Sequence, residues 1–162
     1  MSSMAVQTGT QQTYSALAVA NYILRHCQGI TNLKLQKMLY FVQGFALAEW
    51  GEPLFTDEIQ AWTYGPVVPS VYEQYMDFGS RPITRLAPSE LLDAPRIRAF
   101  LDPILESMVK YTSVQLVAMT HRAGTPWSIT WNGGLGRFKR IPFELIREYF
   151  QRKLKPIRVY GR

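Results

Sequence analysis

His26, Cys27 and His121 are the histidines and the cysteine of this chain, and so the first side chains to test for nucleophilic or acid–base chemistry. His26 and Cys27 are consecutive. On a helix neighbouring side chains diverge by about 100° and do not meet, so the pair is no nucleophile–base dyad. His121 lies between a helix end and Pro126-Trp127. There it could serve as an acid or base, or it could cap its helix and bond the following loop. Asp57 and Glu58 are adjacent on an extended segment, where side chains point to opposite faces. HExxH, GxxxxGK[ST] and GxSxG patterns are absent. Gly133, Gly134 and Gly136 follow no evident strand and lack a lysine at phosphate-loop spacing, so they read as a flexible connector. One cysteine rules out an internal disulfide framework and a multi-cysteine zinc site. These residues assign no catalytic role, no metal and no cofactor.

Recognition chemistry has better material. Trp62, Tyr64, Tyr72 and Tyr75 gather in and around the stretch WTYGPVVPSVY, and Trp127 and Trp131 lie four apart. Tyrosine and tryptophan beside loop-forming glycine and proline suit a partner surface, and each ring can equally fill a core. The candidate contacts are Trp62, Tyr64, Gly65, Pro66, Tyr72 and Tyr75. Lys34 and Lys37 are either the polar edge of that surface or solvent-facing spacers.

Charge is unevenly placed. The net charge is +6, yet from Arg137 onward nine Lys/Arg face two Asp/Glu, leaving the preceding residues at −1. Arg152, Lys153, Lys155 and Arg158 could meet phosphates, attract an acidic protein, or form a solvated face.

The elements that would position these groups follow from periodicity. Leu33 to Trp50 reads as a helix with Leu35, Met38, Leu39, Val42, Phe45 and Ala46 on one face. Its other arc mixes Gln36, Lys37, Gln43 and Gly44 with Tyr40, Phe41 and Leu47. Such a helix is packed on several sides, the central post of one core. Before it, Ala16 to Cys27 is a helix capped by Ser15 and stopped by Gly29. After it, Glu58 to Thr63 alternates as a short strand, broken by Tyr64-Gly65-Pro66, with 82–86 as its expected partner. Further helices run from Pro66 or Pro69 to Phe78, from Pro95 to Lys110 through Pro103, from a Ser113 cap to His121, as one turn from Pro126 to Trp131, and from Pro142 to Leu154. The expectation is a mainly α, compact single domain around a central buried helix, with a two- or three-stranded β element. Residues 1–12 would be a flexible N-terminus, 13–154 the domain and 155–162 a basic tail. No basic residue precedes Arg25 and no apolar run reaches about 18 residues, so neither a secretory signal nor a membrane span is expected. A cytoplasmic protein follows.

Taken in order, ALAVANYIL, ITNLKLQKMLYFVQG, GEPLF and AWTYGPVVPSVYEQY resemble the Panacea domain, also called the SocA-like or phage-associated (GepA-like) family. Thr120-His121 with Pro126-Trp127 is similar to that family's TH…PW element, and IPFELIREYF to its closing helix. The resemblance covers about residues 14 to 150. Two departures stand out: the closing helix opens Ile-Pro rather than Ile-Ser, and about a dozen residues precede the first helix, too few for an additional DNA-binding domain. The resemblance implies a non-enzymatic antitoxin that neutralises a cognate toxin, encoded by an adjacent gene, through direct binding. Some members act as adaptors presenting a toxin to a protease. From the residues alone, a nucleic-acid-binding regulator using the basic terminal segment is the contrasting reading.

Overall fold

The structure, a computed structural model, describes residues 12–160, and for side chains residues 12–153. The flexible N-terminus expected over 1–12 therefore lies, for residues 1–11, outside the described residues, as do the side chains of Lys155 and Arg158.

Helix α1 (Ala16–His26) starts where the Ser15 hydroxyl accepts from Ala18 N at 3.0 Å. Helix α2 (Asn32–Trp50) starts where the Thr31 hydroxyl accepts from Lys34 N, and it stops at Gly51, whose φ of 74° is left-handed. This is the central post. Leu35, Met38, Leu39, Val42 and Ala46 are buried, and so are Gln36, Lys37, Tyr40, Phe41, Gln43, Gly44 and Leu47 on the other arc. Packing on every side explains it: α1, the β hairpin and the later helices all lie against α2.

Buried amides on α2 bracket the chain that returns past it. Gln43 donates to Phe55 O at 2.6 Å and accepts from Leu54 N at 2.8 Å. Gln43→Leu keeps the volume but strands those backbone groups, and should lower stability by about 2–3 kcal/mol. A urea midpoint within experimental error of the parent would contradict it.

Strand β1 (Gln60–Trp62) pairs antiparallel with β2 (Gly65–Val67), with Ala61 opposite Pro66. The expected partner, 82–86, is not the one used. Two residues, Thr63 and Tyr64, suffice to turn the chain back, and Pro82 instead bridges Thr31 while Ile83 N bonds Ile30 O. The other edge of β1 is covered by 138–141: Phe138 N donates to Ala61 O, Ala61 N to Lys139 O and Ile141 N to Ile59 O. Ile59 and Ala61 point into the core.

Helix α3 (Pro69–Tyr75) continues as a 3-10 turn to Phe78. Helix α4 (Pro95–Met108) buries Ile97, Leu101, Leu105 and Met108 and carries Pro103 on its exposed side. Helix α5 (Ser113–His121) is capped by Thr112, not Ser113. The Thr112 and Gln115 side chains form a reciprocal capping box, which places the cap one residue earlier than expected. Helix α6 is Pro126–Trp131, and α7 is Phe143–Tyr160. The last helix thus runs past the expected end at Leu154, because Pro156 removes one backbone donor without ending the helix. Ile146 and Phe150 of α7 lie in the core beside α2. Among the described residues no helix is long and apolar enough to cross a membrane.

Candidate functional site

Signature residues that are distant in sequence meet under the hairpin. The Gln36 amide donates to Asn32 Oδ1 at 2.9 Å and accepts from Val68 N at 2.8 Å. Lys37 Nζ donates to Pro66 O at 3.0 Å. The polar letters of LKLQK therefore hold the YGPVVP turn to the post. Gly65, at φ 111°, lies so close over the stem of Lys37 and the hydroxyl of Thr120 that a Cβ there would collide with both.

The TH…PW element braces the same hairpin from behind. Thr125 Oγ1 donates to Thr120 O at 2.7 Å and accepts from Ser128 N, which caps α6. Pro126 takes the first helical turn, and the Trp127 indole donates to Trp62 O at 2.8 Å. His121 stacks flat on Trp127, with ring centroids 3.9 Å apart. Its Nε2 is buried without a partner among the described residues, and burial, with Lys37 nearby, holds its pKa below the ordinary histidine range.

In front of this brace opens a cleft of about 500 Å³. Trp62 stands at its centre, edge-on to Tyr72 at 5.0 Å and to Phe138 at 5.5 Å. Tyr64, 66% exposed at the hairpin tip, together with Leu33, Val67 and Met76, continues the apolar lining. Arg137 is the exposed charged residue of the lining, the fully buried Lys37 lies behind it, and no Asp or Glu contributes. Phe138 sits at φ 69°, a region costly for a bulky side chain, and Arg137 lies over its ring at 5.1 Å.

Of the expected contacts, Trp62, Tyr64 and Tyr72 come together on the cleft. Gly65 and Pro66 are buried in β2, and they shape the turn without offering a side-chain surface. Two expectations are corrected. Tyr75 is wholly enclosed: its hydroxyl donates to Asn21 Oδ1 at 2.7 Å and accepts from Ala87 N, so it is a core strut. Lys37 is wholly enclosed as well, because packing on all sides of α2 leaves no solvent face for it. Burial lowers its pKa to about 7. Lys34 is half-buried and bonds Val109 O beyond the end of α4, outside the cleft.

Arg137, Phe138, Leu33 and Met76 were not legible as site residues. Phe138 follows a glycine-rich connector, and nothing local reveals that 138–141 folds back along β1. Arg152 and Lys153 are exposed and lean on Tyr149 of α7, away from the cleft lining. His26 is occupied by Tyr22, whose carbonyl bonds Nδ1 at 2.9 Å and whose ring stacks on it. Among the described residues no three His, Cys, Asp or Glu side chains form a metal cradle.

A buried helical post, a braced hairpin and an aromatic cleft define a small, mainly α-helical domain. The chain matches the family described as antitoxin SocA-like, Panacea domain, over residues 35–128, and it belongs to that family. It is 33% identical to antitoxin SocA of Caulobacter vibrioides (strain NA1000 / CB15N), over 89% of this chain and 86% of that protein. No solved structure matches it significantly.

Proposed function

We propose that this protein is a cytoplasmic antitoxin that neutralises a partner toxin by direct binding, with the cleft around Trp62 as the contact. The carrying observation is the cleft itself: Trp62, Tyr64, Tyr72 and Phe138 converge in a hollow braced by the family's own signature residues. Aromatic rings in a concave, partly desolvated setting are where binding energy concentrates. Family membership and a relative named as an antitoxin support the same reading.

Co-expression with the product of the neighbouring gene tests it. The parent chain should restore growth and co-purify with that product. Trp62→Ala should weaken the complex by at least about 2 kcal/mol, roughly thirtyfold, and Tyr64→Ser, at an exposed tip, by less. Retained rescue and retained co-purification in Trp62→Ala/Tyr64→Ser would show that the cleft is not the contact. The toxin's half-life with and without this protein separates inhibition from delivery to a protease.

A further inference from the structure

We infer that the cleft receives an acidic segment of the toxin, a carboxylate beside an apolar side chain, with the apolar group among Trp62, Tyr72 and Phe138 and the carboxylate at Arg137. This rests on the cleft being the contact surface, and it adds the chemistry of what enters.

Charge complementarity carries the inference. The lining offers one exposed cationic side chain, Arg137, and no acidic one. The ion pairs Arg85–Asp77 and Arg147–Glu144 do not involve it. Arg137 is exposed at the rim, its guanidinium over the face of Phe138. Lys37 lies behind the cleft wall, fully enclosed, with its ammonium group bonded to Pro66 O.

A polypeptide fits better than a nucleic acid. Affinity for a phosphate backbone comes from many cations spread along a track, whereas this hollow sets one exposed arginine beside an apolar wall.

The test is selection of random peptides of about 12 residues, displayed on phage, against the immobilised parent protein, followed by fluorescence polarisation of the synthesised winners. Winners should carry Asp or Glu next to a large apolar residue. Replacing that carboxylate by its amide should weaken binding by about tenfold or more. Arg137→Glu, at an exposed position, should lose a similar factor and regain it with a peptide bearing Lys in place of the acid. Winners without a carboxylate, no winners, an unaffected Arg137→Glu, or displacement by oligo(dT) would each overturn the inference. Growth rescue distinguishes the two levels. Loss in Trp62→Ala with retention in Arg137→Glu defeats only the acidic segment, and retention in both defeats the cleft as well.

Discussion

Gly44→Leu should destabilise the fold by about 3 kcal/mol or more, a large part of the stability of a domain this size. Gly44 lies mid-helix on the central post, and a Cβ built there would come within 2.6 Å of three ring carbons of Phe150 on α7. That ring is held edge-on by Tyr40, Phe41 and Phe45 at 5.6, 5.9 and 5.2 Å, so it has little room to withdraw. The sign for alanine is diagnostic. On propensity alone Gly44→Ala would stabilise the helix by about 1 kcal/mol. Against Phe150 it should destabilise instead. Urea denaturation decides this, and pairing Gly44→Leu with Phe150→Ala should recover part of the loss, because the two changes share one space. Additive effects would refute the contact as the cause.

Lys37→Met should change the shape of the stability–pH profile as well as its height. Lys37 has its folded pKa depressed to about 7 from 10.5. Between those values the unfolded chain binds a proton that the folded chain does not, so stability rises with pH across the window. Below about 7 the lysine is charged in both states and the full burial cost is present. The span is on the order of 5 kcal/mol. Methionine carries no proton and matches the stem, so its profile should lack this rise. The variant should be the more stable protein at pH 6. Near pH 10 it should be the less stable by about 1 kcal/mol, because Pro66 O has lost its donor. Cys27, Tyr22 and Tyr75, whose pKa values burial raises, titrate alike in both proteins and cancel in the difference. Parallel profiles would show that Lys37 does not titrate in this window.

Much of the architecture was readable from local patterns. Ser15 marks a helix start because a cap needs only its own side chain. The stripe Ile97, Leu101, Leu105 and Met108 marks a buried face because helical spacing alone aligns it. The aromatic group Trp62, Tyr64 and Tyr72 was visible for the same reason: its members are close in sequence. Where more than one local pattern was available, contacts made the choice. Thr112 rather than Ser113 became the cap, and Gly65–Val67 rather than 82–86 became the partner of β1, the nearer segment closing with less loss of chain entropy.

By itself, then, the sequence determined the helical class, the position of the post, its identity as a signature, and the aromatic stretch after it. Only the tertiary structure decided the fate of the polar residues on the post. Lys37 and Gln36 look solvent-facing on a helical wheel, and they become interior donors and acceptors because the hairpin and α5 cover that side. It also decided that Tyr75 is core, and that Arg137 and Phe138, some 75 residues from Trp62 in the chain, complete the cleft. Burial and juxtaposition depend on what other segments bring to a side chain, and neither is encoded in its neighbours.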